Sequence, residues 1–356
     1  MLRKQVKFLA LFTILCVASI PCAFAAACTT QGQMTPAQRQ SLENTARIMA
    51  MQIQTGDVQG LREITIPAVA ADFSGIMDSV VHLKPIIQQA TVTVNTLYIL
   101  DASTDAPGEA KTDFYCGSPV VVLNFSDLPP GAYALAVLHA TGVPEPHQIS
   151  LILSKTPENR WMLAGFFDKP MTEAGHGGLW YWVSARKFAQ TPSSWAAWLY
   201  YRQAAFLLDP LDLLSSPNLQ KLQHETDDVH PNGLPVTSPM IVNAAGDTFT
   251  VTSIDPTTEF GGALDLEVHY TPNGTQAAQL RDPPQARKQV TDIMQALLKE
   301  HPDLRQAFHG MWVRADQGNT SLFALEIPMD GIAASGTLAN PATNPSQHAT
   351  VFPAQQ

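Results

Sequence analysis

The residue patterning changes from helical to strand-like at Thr91, and this change constrains the fold more than any other feature of the chain. Before Thr91, apolar residues recur every three to four positions, as they do on one face of a helix. These residues are Leu42, Ala46, Met49 and Ile53, and shorter helical patterns follow over 61–73 and 76–87. After Thr91, β-branched residues are concentrated in segments 91–100, 119–125 and 148–153. The order predicts an α+β fold, with helices first and then a meander of five or six antiparallel strands that ends near Asp168.

Segment 131–141 alternates large and small side chains, which predicts a strand with one bulky and one small face. The bulky face carries Tyr133, Leu135, Val137 and His139. The small face carries Ala132, Ala134, Ala136 and Ala140. We expect the bulky face to point at the N-terminal helices, which would bring His139 into a pocket on that side of the sheet.

Helices that precede a curved antiparallel sheet resemble the cystatin-like cone of the nuclear transport factor superfamily, in which the helices occupy the concave side. The resemblance covers about residues 36–168 and depends on element order and length. It implies a cone-like domain over 28–170. The family contains isomerases, hydrolases and many binding or dimerisation modules, so the resemblance does not select one function.

Segment 171–230 is helical and rich in aromatic residues. The spacing of its large and small residues resembles one tetratricopeptide repeat, first in Tyr181, Ala185 and Phe188 and then in Ala197, Tyr201 and Ala204. The sequence contains no second copy, whereas arrays of such repeats need three or more. The resemblance therefore implies a single helical hairpin that packs on a neighbouring sheet, with a further short helix over 218–224.

A second compact α+β domain is predicted over 236–330, after a linker rich in Pro and Gly. Segments 248–254 and 263–270 alternate as strands, and Asp282 with Pro283 opens a helix. The apolar stripe of this helix consists of Val290, Ile293, Met294, Leu297 and Leu298. Strand patterns over 311–314 and 321–327 complete an order of two strands, one helix and two strands. The tail, 331–356, has almost no charge and is predicted to be disordered.

The first 27 residues have the pattern of an export signal. Arg3, Lys4 and Lys7 precede a short apolar run, and a small-x-small cleavage site ends at Ala25. The run is too short to be a permanent membrane span, which needs about 20 residues, and we expect no transmembrane helix after processing. The sequence therefore predicts an exported protein, either periplasmic or secreted.

Removal of the signal leaves two cysteines, Cys28 and Cys116. In an oxidising compartment an even pair predicts a disulfide. A second hypothesis is a lipid anchor, because the residues before Cys28 resemble the box at which bacterial lipoproteins are cut and the cysteine lipidated. Two inert thiols are the third alternative.

The charge balance excludes some partners. The formal net charge is −10, and loss of the three basic signal residues would make it about −13. Nucleic acids and anionic lipid surfaces would be repelled by such a chain. With 45% hydrophobic residues in 356, the chain is long and apolar enough for about two domains with real cores.

His139 is the strongest candidate for a catalytic residue. If the cone exists, it would lie with Tyr98, Asp113, Tyr115 or Asp168 in a pocket where a histidine serves as general base. The alternative is structural, since a lone histidine at a strand end usually bonds a loop carbonyl or meets solvent.

No metal or cofactor signature is found. An acidic loop over 225–230 offers possible ligands, but its spacing matches no calcium or zinc motif, and a solvated linker is the simpler interpretation. The run Gly175-His176-Gly177-Gly178 lacks the lysine and parallel strand of a phosphate loop. His301 and His309 are not a zinc pair of two helical turns, because Pro302 breaks the helix between them.

The aromatic hairpin could instead bind a partner, because Trp, Tyr and Arg dominate protein interfaces. The candidates are Trp180, Trp182, Trp195 and Trp198. Core packing is the competing interpretation, and it predicts that at least one of Trp195 and Trp198 is buried. We therefore predict a non-catalytic binding or scaffolding module whose partner is another envelope protein or a small apolar ligand. The alternative is an isomerase- or hydrolase-type enzyme with its site near His139.

Overall fold

The computed structural model describes residues 26–105, 108, 110–258, 262–332 and 349–350. The predicted export signal therefore lies outside the described residues except for Ala26 and Ala27. The predicted disordered tail is described only at 331–332 and 349–350.

The described residues of the N-terminal half form four helices and seven strands. The helices are α1 Pro36–Thr55, α2 Val58–Glu63, α3 Pro67–Ala70 and α4 Ser74–Ile87. The strands are β1 Ala27–Thr30, β2 Thr91–Asp101, β3 Lys111–Cys116, β4 Val121–Ser126, β5 Ala132–Thr141, β6 His147–Lys155 and β7 Trp161–Pro170.

Local sequence explains where the first helices begin and end. Thr35 caps α1 by accepting a hydrogen bond from the Gln38 amide, and a left-handed Gly56 ends the helix. The single helix predicted over 61–73 is wrong, because the structure has two short helices there. Ile66 precedes Pro67 and adopts an extended backbone, since a proline disfavours the helical conformation of the residue before it.

The second half continues with a helical region and then a mixed sheet with helices. The helical region consists of β8 Thr172–Glu173, β9 His176–Gly177, α5 Gly178–Ala189, α6 Ser194–Leu208, β10 Leu214–Ser215 and α7 Pro217–Asp227. The last part consists of β11 Met240–Ala244, β12 Asp247–Thr257, β13 Asp265–Thr271, α8 Gly274–Gln279, α9 Pro283–Glu300, α10 Leu304–Ala307, β14 Gly310–Gln317, β15 Thr320–Pro328, a 3₁₀ turn Met329–Gly331 and β16 Ala349–Thr350.

The N-terminal unit has three layers. Its central sheet is antiparallel and has the strand order β1-β2-β5-β6-β7. The helices pack on one face of this sheet, and a small sheet of β10, β4 and β3 packs on the other face. Both interfaces are apolar, so the central sheet is buried between two cores.

The two faces of β5 are oriented opposite to the sequence prediction. Ala134, Ala136 and Ala140 contact the helix layer, whereas Leu135 and Val137 face the small sheet. Small side chains let a helix approach a sheet closely, and the large residues then fill the gap to the thinner layer on the other side. The expectation that the bulky face points at the helices is therefore wrong.

The C-terminal sheet has the order β11-β12-β13-β14-β15-β16, with β13 and β14 parallel and the other pairs antiparallel. The described sheet has six strands where the sequence predicted four, because β11 precedes and β16 follows the predicted strands, and the helix α8 was also missed. The predicted order of two strands, one helix and two strands is therefore wrong. Strand β11 joins β12 through a tight turn at Ala245 and Gly246, both with positive φ. The predicted apolar stripe of α9, from Val290 to Leu298, is buried as expected.

The helical hairpin of α5 and α6 shares one core with the C-terminal sheet and α9. The Tyr200 hydroxyl donates a hydrogen bond to the Ala307 carbonyl at 2.5 Å, which links α6 to α10. Gly178 permits the close crossing of the two helices, since a Cβ there would lie 2.6 Å from the Leu208 side chain. The chain as a whole has the α+β class that its patterning predicts.

The disulfide between Cys28 and Cys116 joins β1 of the central sheet to β3 of the small sheet. It therefore fastens together two layers of the N-terminal unit. A disulfide of this kind is typical of oxidising, exported compartments. A sulfur bonded to Cys116 cannot also carry a lipid, so the lipid-anchor alternative has no support in the structure.

Candidate functional site

A cleft of about 960 Å³ lies where the N-terminal sheet, helix α6 and the C-terminal sheet meet. Its walls come from three separate parts of the chain: the end of α4 with β6 and β7, the outer side of α6, and β12 with the start of β13. This volume is at the upper end of the range for ligand pockets in proteins. Ligand pockets commonly form where units of a chain meet in this way.

The N-terminal wall brings together Asp168, His147 and His82. Asp168 in β7 pairs with Ile149 of β6, so it lies on the helix-facing side near His147. Burial raises the pKa of the Asp168 carboxyl, and the nearby His147 and His82 oppose that rise. His147 is buried, and its Nδ1 contacts the Glu145 carbonyl at 3.0 Å.

The opposite wall is built around Arg202 of α6. Its guanidinium donates a hydrogen bond to Asp255 of β12 at 2.8 Å and lies 4.9 Å from the Trp198 ring. Glu173 adds a further carboxylate and accepts a hydrogen bond from Thr258. The described lining thus contains the carboxyl groups of Glu145, Asp168, Glu173 and Asp255 and one guanidinium. The cleft is therefore acidic, with apolar surface from residues such as Phe206.

The residues predicted to form a catalytic pocket do not converge. His139 lies on the face of β5 away from the helices, opposite Thr93 and Gln148. Asp113 and Tyr115 belong to β3 of the small sheet, where Asp113 pairs with Lys111 at 3.3 Å and Tyr115 is 59% exposed. The prediction placed them together because it assumed one meander, whereas β3 pairs with β4 in a separate small sheet, and because it had the wrong face of β5 toward the helices. Of the predicted group, Asp168 lines the cleft.

The four candidate tryptophans have different environments. Trp195 is 1% exposed, stacks on His301 at 3.7 Å and donates to the Asn232 carbonyl. Trp182 is also buried, and Trp198 is half-buried beneath Arg202. Trp180 is 43% exposed and stacks on His176 at 3.7 Å. The core interpretation therefore holds for Trp195 and Trp182, and Trp180 is the exposed member of the four.

The prediction of a solvated acidic linker over 225–230 holds for Asp227, Asp228 and His230, which are exposed, but not for Glu225. Helix α7 extends through Glu225 to Asp227, so the predicted helix over 218–224 was too short. Glu225 accepts two hydrogen bonds of 2.7 Å from Arg186 and one of 2.7 Å from the Trp182 indole. Arg186 lowers the pKa of this carboxyl by hydrogen bonding to its charged form. Glu225 therefore fastens α7 to α5.

A cluster that the sequence did not predict lies at the start of β14. It contains potential metal-ligand atoms from Asp265, His309 and Glu326, and these atoms lie within 4.8 Å of one another. The His309 Nδ1 lies 3.2 Å from an Asp265 carboxylate oxygen. The parallel pairing of β13 with β14 creates this contact, and no local spacing reveals such pairing. The available signal was the alternation of charged with apolar residues along β13.

Searches with the sequence and with the structure find no matching family model, no matching curated protein and no matching solved structure. The resemblance to the nuclear transport factor superfamily therefore stays a prediction. Within the described ranges, none of the helices combines the length and the apolar character needed to cross a membrane.

Proposed function

We propose that the chain is an exported, non-catalytic binding module and that its binding surface is the acidic cleft. The proposal is supported chiefly by the way in which apolar side chains fill the interior on the helix side of the N-terminal sheet. Leu42, Met49, Ile53 and Leu83 are fully buried there against the small face of β5. Packed apolar side chains occupy the middle of that side, where an enzyme of the cone type would hold its site, and the ionisable groups His82, His147 and Asp168 lie at its edge in the cleft.

The lining of the cleft favours a partner with positive charge beside apolar groups. Four carboxyl groups and one guanidinium line the described part of the cleft, and Phe206 supplies apolar surface. The net negative charge of the chain attracts such a partner from a distance. A purely apolar small ligand would bury charged groups without partners, which is costly. A basic segment of another envelope protein therefore fits better than a small apolar ligand.

The predicted compartment agrees with this function. The disulfide between Cys28 and Cys116 supports an oxidising compartment outside the cytoplasm. In our proposal, the mature chain works in the periplasm or after secretion, where it meets envelope proteins.

Capture from an envelope fraction tests the proposal. The mature chain is the bait, and the key variant is Asp168→Asn combined with Glu173→Gln, which removes two negative charges from the cleft while keeping side-chain size. Asp247→Asn, at the exposed turn between β11 and β12, is the matched control. We expect the wild type and the control to retain a partner that is released by salt, and the double variant to retain at least about tenfold less.

Two results would contradict the proposal. Equal capture by the double variant would place the binding surface outside the cleft, and loss of capture in Trp180→Ala alone would move it to α5. Absence of any salt-sensitive partner would remove the support for an acidic binding cleft.

A further inference from the structure

We propose that Asp265, His309 and Glu326 form a binding site for a divalent transition cation such as Zn²⁺. The three side chains come from the start of β13, the loop before β14, and β15. Each offers one ligand atom, and the three atoms lie within 4.8 Å of one another. None of the three lines the acidic cleft, so this site is independent of the proposed function.

The burial of the two carboxylates is the first reason for the assignment. Asp265 is 1% exposed and Glu326 is 6% exposed, so both carboxylates are held in the interior beside each other. Asp265 is already hydrogen-bonded to His309 and to the Gly310 amide, and a cation would take the place of the His309 contact. Buried carboxylates are normally paired or coordinate metals, and a divalent cation would take both carboxylates as ligands.

The backbone at Gly310 is the second reason. A Cβ at this position would lie 2.8 Å from a Glu326 carboxylate oxygen and 3.0 Å from an Asp265 carboxylate oxygen. Any side chain at position 310 would therefore push the two carboxylates away from their shared position. The absence of a Cβ leaves the two oxygens pointing into one small space beside the main chain.

The donor set and its geometry select the kind of cation. Zinc bonds to histidine nitrogen and carboxylate oxygen at about 2.0 to 2.2 Å, which in a tetrahedral site places ligand atoms about 3.3 to 3.6 Å apart. The His309 nitrogen and the Asp265 oxygen are 3.2 Å apart, close to this range, and all three ligand atoms lie within 4.8 Å of one another. One imidazole with two carboxylates suits a transition cation better than Ca²⁺, which takes six to eight oxygen ligands.

The exposure of His309 gives the cation a path of entry. The His309 side chain is 61% exposed, whereas that of Asp265 is 2% exposed. The exposed imidazole is free of close packing on its solvent side, so it can rotate to direct a nitrogen at a cation held by the two carboxylates. Water or an exogenous ligand then completes the coordination from the solvent side, as in zinc sites with three protein ligands.

Calorimetric titration of the mature, chelator-treated chain with Zn²⁺ tests the site. We expect one Zn²⁺ per chain with a micromolar or lower Kd, together with a rise in Tm. His309→Gln changes an exposed residue and should fold normally, and it should weaken binding at least about tenfold. Asp265→Asn should have a similar or larger effect. The control, His230→Gln, alters an exposed histidine elsewhere and should leave the Kd unchanged.

X-ray absorption of the zinc-loaded chain provides a second measurement. We expect one nitrogen ligand from histidine with the remaining ligands oxygen, and loss of the nitrogen in His309→Gln. The proposal is overturned if the wild type binds no Zn²⁺ in a saturable one-to-one manner. It is equally overturned if His309→Gln binds with the Kd of the wild type, since the cation would then lie elsewhere.

Discussion

The two main sheets of this protein both pack helices on one face, but they differ in what the other face carries. The second face of the N-terminal sheet is covered by apolar residues of the small sheet, including Phe114 and Leu123. The second face of the C-terminal sheet carries charged residues instead. These residues are Asp265, Glu267, His269, Arg314, Asp316 and Glu326.

The N-terminal sheet therefore contributes mainly to stability, whereas the C-terminal sheet also presents a face of ionisable groups. The apolar part of the N-terminal sheet, between its two cores, gains free energy from burial, and its ionisable groups lie at the edge that lines the cleft, such as His147 and Asp168. The charged face is organised by ion pairs: Arg314 with Glu267, and His269 with Asp316 at 2.5 Å. Substitutions between the two cores of the N-terminal sheet should therefore change stability alone, whereas those on the charged face should also change the response to pH and metal.

The largest effect is expected from removal of the disulfide that closes the N-terminal layers. The bridge spans 88 residues, and on the chain-entropy model its loss should lower the free energy of unfolding by about 4 to 5 kcal/mol. Urea unfolding of the Cys28→Ala, Cys116→Ala double variant measures the change. The wild type in reductant should behave like the double variant. Unfolding that is insensitive to reductant would show that the two layers hold together without the bridge.

The helix side of the C-terminal sheet should respond as an ordinary core. Leu297 of α9 is 1% exposed, and Leu297→Ala should cost about 2 to 5 kcal/mol through lost burial and a cavity. Denaturant unfolding measures this cost, with Lys299→Ala at an exposed position of the same helix as the control. A change in unfolding free energy near zero would mean that Leu297 of α9 does not pack against the C-terminal sheet.

The small face of β5 should tolerate added volume poorly. Ala136 is fully buried against the helix layer, so Ala136→Leu should destabilise the protein by about 1 to 3 kcal/mol. Ala132→Leu is the matched control, because Ala132 is half-buried and lines an open groove. Thermal and urea unfolding should separate the two variants. Equal stabilities would indicate that the helices do not approach β5 closely.

The smallest effect, and the one specific to the charged face, concerns pH. Hydrogen bonds to Asp316 and Glu267 raise the pKa of His269 to about 9 from 6.5. The folded state therefore holds this proton more tightly than the unfolded chain does. The resulting stability is fully present below about pH 6.5 and is lost as pH rises through about 9. Its size should be on the order of 1–2 kcal/mol after allowance for partial exposure.

The difference in unfolding free energy between the wild type and His269→Gln, measured from pH 5.5 to 9.5, tests this expectation. The difference should shrink over that window, and an imidazole NMR titration should give a midpoint near 9. The exposed His230→Gln control should show no comparable trend. A midpoint near 6.5 would mean that the ion pairs on the charged face do not form in solution.

Local sequence determined the element types wherever one residue pattern was sufficient. The repeat from Leu42 to Ile53 predicted α1, and the stripe from Val290 to Leu298 predicted the buried face of α9. The even pair of cysteines predicted the disulfide. These predictions depend on periodicity and counting, which are properties of neighbouring residues and need no knowledge of the tertiary fold.

The tertiary structure alone decided which face of a strand meets which layer and which distant residues come together. Alternation along β5 defines two faces but gives no direction, so the sequence could not show that the alanine face meets the helices. Glu225 became a partner of Arg186 only when α7 packed on α5. Asp265, His309 and Glu326 are separated by up to 61 residues, and the parallel pairing of β13 with β14 unites them. Contacts between distant segments depend on strand order and packing, and local spacing contains neither.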